Sequence, residues 1–316
     1  MKQYTIGIDV GGTKIAYGLF DGDKNLVDKH RVLSDAALSA EQFFDRIVGD
    51  IHMILERHEL TLDSIGGIGI GVPSYVLFEE GKIIKTVNLP NIADFPAKAY
   101  LLEKLRSDMR IVIDNDGHTG ALAEHRQGAG RGFRHMLYCP VSTGISSGII
   151  INNELFRGSY GWSGESGHMI ANADEGVMCG CRNKGCFMSY CSGSMIIKHI
   201  LNKIEQGDMT IMVKLAGGKE NITTEHIVQA YALEDEMAIW AVEQMAKYLG
   251  VWCYNLYVTL NINCFVFGGG LLKFGDTLFG RVRRVFDTYN QNDYPVYFKY
   301  AELDDYGIIG ALELLF

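Results

Sequence analysis

The sequence predicts an α/β protein of two lobes, and three observations carry that expectation. A length of 316 residues suggests two domains at roughly 150 residues each. Short apolar runs closed by glycine turns alternate with longer stretches of helical periodicity. The order strand, glycine turn, strand also occurs twice, at residues 4–20 and again at 137–151, which suits two related lobes.

Composition narrows the class further. Apolar residues at 47% are enough for real cores, and 21% charged residues argue against disorder. A formal charge of −9 argues against a nucleic-acid partner, which needs a basic face. The N-terminus runs straight into an alternating strand without the layout of a signal peptide. No apolar run approaches the ~18 residues that span a bilayer, so no membrane partner is expected. Seven cysteines, an odd number, fit a reducing compartment. The expectation is a soluble cytoplasmic protein.

Residues 4–10, Tyr-Thr-Ile-Gly-Ile-Asp-Val, read as a buried strand. Gly11-Gly12-Thr13-Lys14 turns the chain into a second strand, Ile15 to Phe20. Asp21 to Lys24 is a hairpin turn, and Leu26 to Leu33 a third strand. Paired glycines after a buried strand expose backbone N–H groups to an anion. Lys14 can add a point charge to a phosphate, and Asp9 can face a phosphate-bound Mg²⁺. Ordinary hairpins carry such glycines too. The turn is neither a Walker loop nor a dinucleotide fingerprint, because a strand follows it rather than a helix.

Residues 41–58 have helical spacing at Phe43, Phe44, Ile47, Ile51, Ile54 and Leu55, and Ile65 to Val72 is a glycine-rich strand ending at Pro73. Residues 111–116, Ile-Val-Ile-Asp-Asn-Asp, form a short strand with acidic and amide groups at its end, followed by a helix over His118 to Gln127. A carboxylate at a strand end is where α/β folds place chemistry. From this segment alone Asp116 reads equally as a helix N-cap.

Asn152-Asn153 turns a hairpin after the second strand–glycine–strand unit. Then comes Gly164-Glu-Ser-Gly-His-Met and, eleven residues on, Cys-Gly-Cys-Arg-Asn-Lys-Gly-Cys. Cys179, Cys181 and Cys186, with His168, supply four soft ligands of the kind a tetrahedral structural zinc takes. Gly180 and Gly185 would let the thiols converge. Unrelated buried cysteines or a disulfide are the alternatives, the latter at odds with a chain that looks intracellular. Gly193–Ile204, 223–233 and 235–260 read as helices, the last with aromatics and methionines suited to a core or a dimer surface. Cys264 to Phe267 is a strand leading into Gly268-Gly269-Gly270, and no linker or low-complexity run interrupts the chain.

The block Gly-Glu-x-Gly-His, then Cys-x-Cys-x4-Cys, resembles the signature of the ROK family, sugar kinases and sugar-responsive repressors of bacteria, and further matches run from residue 5 to 311. The resemblance implies a two-lobed actin-like ATPase (ribonuclease H-like) fold with a nucleotide and sugar cleft between the lobes. It also implies a glucokinase-like, ATP-dependent phosphorylation of a hexose at O6. Lobes of 1–117 and 118–300 are expected, with 301–316 returning to the first.

The site residues follow from the same resemblance. Asp9, Gly11, Gly12, Thr13 and Lys14 match the first phosphate motif, with Asp9 orienting Mg²⁺. Thr143 and Gly144 fall in the second phosphate loop, and Gly268, Gly269 and Gly270 in the adenosine motif. Tyr306 to Ala311 matches the closing Gly-x-x-Gly-Ala helix. Asp114-Asn115-Asp116 matches Glu-Asn-Asp with one conservative change, Asp114 for Glu, which makes Asp116 the catalytic base and Asn115 a reader of sugar hydroxyls. Glu165 and His168 would serve the sugar pocket, shaped by the zinc loop, and Asn88 resembles the family's asparagine beside the sugar, although an ordinary loop explains it as well. Three departures stand out: Pro73-Ser74 for Pro-Gly, Ser142, Ser146 and Ser147 for loop glycines, and Met188 for a glutamate at the C1–C2 edge of the sugar. A repressor would carry a DNA-binding domain before the first motif, which here starts at residue 9. The expectation is therefore a kinase with sugar and ATP as small-molecule partners, working as a homodimer or homotetramer. Kinases of N-acetylhexosamine, fructose or another hexose, or a sugar-binding protein that has lost catalysis, are the alternatives.

Overall fold

The structure, a computed structural model, describes residues 3–86, 88–106 and 108–316. In chain order it runs β1 (Tyr4–Val10), β2 (Lys14–Phe20), β3 (Leu26–Leu33), α1 (Ala40–Arg57), β4 (Ile65–Val72), β5 (Ser74–Leu77), β6 (Lys82–Thr86), β7 (Ala93–Phe95), α2 (Ala97–Lys104), β8 (Arg110–Asn115), α3 (Asp116–Arg126), β9 (Met136–Pro140), β10 (Gly148–Ile151) and β11 (Glu154–Leu155). There follow α4 (Met188–Cys191), α5 (Gly193–Glu205), α6 (Met212–Leu215), α7 (Thr224–Ala232), α8 (Glu236–Leu260), β12 (Cys264–Gly268), α9 (Gly275–Tyr289), β13 (Tyr297–Tyr300) and α10 (Tyr306–Glu313).

Two compact units divide these elements. The first takes the chain up to Arg134, then Gly148–Gly164 and Glu302–Phe316; the second takes His135–Ser147 and Glu165–Ala301. The expected boundary near residue 117 is thus moved, because α3 packs on β10 and α10 within the first unit.

The first unit holds a sheet in the order β3-β2-β1-β4-β8, antiparallel through β1, β2 and β3 and parallel through β1, β4 and β8. Strand alternation divides β1 and β4 into two unlike faces. Ile6, Ile8, Val10, Ile68, Ile70 and Val72 join one core with Phe43, Phe44 and Ile47 of α1. The intervening Gly7, Gly67 and Gly69 face α10 and the residues that follow it. A Cβ on Gly69 would come within 1.7 Å of Ala311 O, and one on Gly7 within 2.2 Å of Ile308 O. The glycine-rich strands therefore exist so that a helix can lie against bare backbone. Glu313, buried in α10, is held by Lys24, Arg126 and Gln127. A capping box between Ser39 and Gln42 starts α1.

The small antiparallel sheet β5-β6-β7 and the helix α2 were not legible in the sequence. Their runs are three to eight residues long, too short for a periodicity to stand out. In the second unit β12 lies between β9 and β13, all parallel, and α8 and α9 pack against each other beside them. Asn261, in the left-handed conformation, ends α8.

Candidate active site and metal centre

In the first unit, the turn after β1 is closed by Gly11 N donating to Lys14 O at 2.9 Å, and the side chains of Thr13 and Lys14 are exposed. Asn88 lies directly against Gly12, where a Cβ would come 2.8 Å from its own Cβ. Asp9, half-buried, packs against Gly307 in the first turn of α10, where a Cβ would sit 2.3 Å from Asp9 Oδ2. Burial pushes its carboxyl up to about 6, against the opposing pull of Arg31. The Tyr306 phenol is also raised, first by burial and then by the negative charges of Asp9 and Asp116. The sequence reading used Tyr306 only as the start of a motif.

Asp116 is the first residue of α3 rather than its cap. The cap is Asn115, whose Oδ1 accepts from Gly117 N at 2.8 Å while its Nδ2 donates to Ser74 O at 3.0 Å. Each end of that amide keeps one further hydrogen-bonding valence. Asp116 Oδ1 also accepts from Gly117 N, at 2.9 Å.

Behind this pair lies a buried hub that sequence reasoning missed. Asp114, fully buried, accepts from Asn115 N at 2.8 Å, bonds His118 Nδ1 at 2.7 Å and accepts from Arg157 Nε at 2.8 Å. His118 Nε2 lies 3.1 Å from Ser163 O. Burial works against both charges, yet the His118 hydrogen bond and charge, with Arg157, hold Asp114 below the usual carboxylate range, and Asp114 holds His118 above the usual histidine value. The four-residue spacing of Asp114 and His118 was the one trace of this in the sequence. Arg157, far along the chain, left none.

In the second unit, the loop after β9 folds back with Ser142 N donating to Gly144 O at 2.9 Å, and Thr143 is exposed at its tip. Ser194 Oγ and Gly193 N hold the carbonyls of Thr143 and Ser142 at 2.7 Å each. Met188, half-buried, covers Gly144: its Cε lies 3.5 Å from where a Cβ would be. Gly269 has φ +87° and no room for a side chain, since Val141 O would stand 2.7 Å away; a Cβ on Gly268 would meet the Tyr138 hydroxyl at 2.5 Å. Packing within the unit thus already demands glycine at both positions.

Glu165, half-buried, precedes a single 3₁₀ turn, Ser166–His168. His168, Cys179, Cys181 and Cys186 bring one ligand atom each to within 4.8 Å of one another. Cys179 Sγ stands 3.6 Å from His168 Nδ1 and Cys181 Sγ 3.7 Å from Cys186 Sγ. Zinc–sulfur bonds of about 2.3 Å in a tetrahedron give edges of about 3.8 Å, so the donor set and its spacing fit zinc. All seven cysteines are free thiols. The other ring nitrogen, His168 Nε2, lies 3.9 Å from Glu165 Oε2, near it but beyond direct hydrogen-bond reach. Gly185, at φ +80° and pressed on Asn172 O, is required for the bend. Gly180 is not, having open space around it and an ordinary φ.

Fold and site together define a two-lobed actin-like ATPase. The chain belongs to the ROK family, whose model matches residues 5–316. It is 29% identical to the glucokinase of Halalkalibacterium halodurans over 91% of this chain and 86% of that one. It is also 30% identical to the xylose repressor of Bacillus spizizenii over 85% of this chain and 65% of the repressor. Among solved structures it resembles the ROK hexokinase of Thermus thermophilus, with 27% identity, TM-score 0.84 and coverage of 98% and 97%. A ROK glucokinase of Streptomyces griseus in complex with glucose and AMPPNP matches with 27% identity, TM-score 0.79 and coverage of 98% of each chain. By family and fold the chain is a ROK sugar kinase.

Proposed function

We propose that this ATP-dependent sugar kinase transfers the γ-phosphoryl group of ATP to O6 of a hexose, glucose first among candidates, with Asp116 as general base. The observation that carries this reading is Asp116 itself: a carboxylate on the first turn of α3, at the end of β8 and beside the capping amide of Asn115. Asp116 takes the O6 proton as O6 bonds to the γ-phosphorus and the bond to the β-phosphate oxygen breaks, releasing ADP. Such base catalysis contributes about 10²–10⁴ in rate, and positioning with charge neutralisation does the rest.

In the first unit, Gly11, Gly12, Thr13 and Lys14 would hold phosphate, Asp9 would orient Mg²⁺, and Asn88 and Asn115 would read sugar hydroxyls. In the second, Thr143 and Gly144 would hold phosphate and Gly268 to Gly270 would lie against adenosine. Glu165, His168 and Met188 would meet the sugar. Zinc on His168, Cys179, Cys181 and Cys186 would hold the loop and leave no open position for chemistry. Resemblance to glucokinases supports glucose, and Met188 in place of a glutamate supports a substituted sugar. Among the described residues no helix is long and apolar enough to cross a membrane, and a cytoplasmic homodimer or homotetramer completes the reading. A coupled ADP-release assay over glucose, mannose, their 2-acetamido analogues and fructose tests it. Sugar-dependent ADP release with phosphate on O6 is the expected result, and its absence for every hexose would overturn it.

A further inference from the structure

In the first unit an aromatic run leads away from Asn115. The Asn115 amide donates to Ser74 O, and Tyr75 is the next residue. The Tyr75 and Trp162 rings meet edge to face with centroids 5.4 Å apart, and Trp162 meets Tyr160 at 5.7 Å. Tyr160 is 68% exposed and Trp162 39%, so both rings keep surface in water. Tyr160 then forms one wall of a pocket of about 280 Å³, lined also by Phe78, Glu79, Glu80 and Arg157. Its floor is rigid. Arg157 lies 3.7 Å over the Phe78 ring while its Nε is held by buried Asp114.

Rings of this size normally go into the core, and adjacent exposed ones mark binding surfaces. Here the backbone is shaped to display them. Gly158 and Gly161, at φ +70° and +83°, make the turn, and Gly161 sits so close to β5 that a Cβ would come 2.7 Å from Val76 O. The combination suits a pyranose. One face of such a ring carries C–H groups that pack on an aromatic face, and its edge hydroxyls donate to carboxylates and accept from a guanidinium. The volume holds about one ring, at the low end for ligand pockets.

We propose that the Tyr75–Trp162–Tyr160 run and this pocket form a second sugar subsite, which takes the outer ring of a disaccharide or aryl glycoside whose inner ring accepts the phosphoryl group. The inference rests on the reading of Asn115 as a contact of the acceptor sugar. Initial rates with glucose, cellobiose, maltose and phenyl β-glucoside, in wild type, Trp162→Ala and Trp162→Phe, test it. At least one glycoside is expected to match or exceed glucose in kcat/KM. Trp162→Ala should lower that glycoside's value about tenfold more than glucose's, and Trp162→Phe, which keeps a ring, should restore most of the difference. A second measurement needs no turnover: titration with the glycosides in the absence of ATP should change tryptophan fluorescence saturably, and Trp162→Phe should abolish the change. Turnover of glucose with no glycoside preference and no Trp162 signal overturns the subsite alone. A saturable Trp162 signal with no turnover of any sugar supports ring binding at the aromatic run and overturns phosphoryl transfer to the inner ring together with the O6 kinase reading.

Discussion

Asn115 is the N-cap of α3, a place that the segment alone equally allowed Asp116. Asp116, on the first turn, shares the Gly117 N–H with it. Asp116→Asn is therefore expected to fold normally and bind sugar with unchanged affinity by calorimetry, while kcat falls by about 10²–10⁴. A variant retaining more than about a tenth of wild-type kcat would contradict the base. Met188 offers a second residue-scale test. A thioether is a weak acceptor, and a hydrogen bond to a charged group contributes roughly 1.5–3 kcal/mol. Met188→Glu should raise kcat/KM for free glucose relative to its 1-O-alkyl and 2-acetamido analogues. An unchanged ranking, with glucose already best in wild type, would end that idea. The contact of Met188 with Gly144 also predicts that the change alters the KM for ATP.

At the scale of elements, the alternating glycines of β1 and β4 are an interface for α10. Gly69→Ala has nowhere to put its methyl group except into the Ala311 carbonyl, and should cost about 3 kcal/mol, read as a lower urea midpoint with an unchanged slope. A midpoint within error of wild type would mean that α10 yields easily. The zinc loop is the other element with a decisive test. Elemental analysis should find about one zinc per chain, and Cys181→Ser should release it and weaken sugar affinity more than ATP affinity, since Glu165 directly precedes the short turn that carries His168 into the thiol cluster. A metal-free wild type with those thiols oxidised in pairs would refute the site.

For the whole molecule, the buried Asp114–His118–Arg157 hub sets a pH window. His118 titrates above its ordinary value in the fold, so its contribution to stability is complete below about pH 6.5 and is lost as pH rises through the raised value. Asp114 titrates below its ordinary value, so its contribution is complete above about pH 4 and is lost as pH falls through the lowered one. Arg157 favours the Asp114 charge and opposes that of His118 throughout. Melting temperature should therefore plateau between those limits and fall on either side. His118→Asn should lower the plateau and flatten the alkaline decline; an unchanged alkaline limb would assign that decline to other groups.

Much of this protein is written locally in its sequence. The strand–glycine–strand turns, the Asp-Asn-Asp strand end, the long amphipathic helices and the Cys-x-Cys-x4-Cys spacing are each set by residues within a few positions of one another, where period, turn chemistry and ligand type act directly. Tertiary structure decided what depends on distant partners. It assigned α3 and β10–β11 to the first unit, turned Gly7 and Gly69 into the bed of α10, pressed Asp9 against Gly307, and set Arg157 on Asp114. The physical reason is common to all four. A buried charge or a bare strand face costs free energy until some group covers it, and nothing in the local sequence says which distant residue will do so.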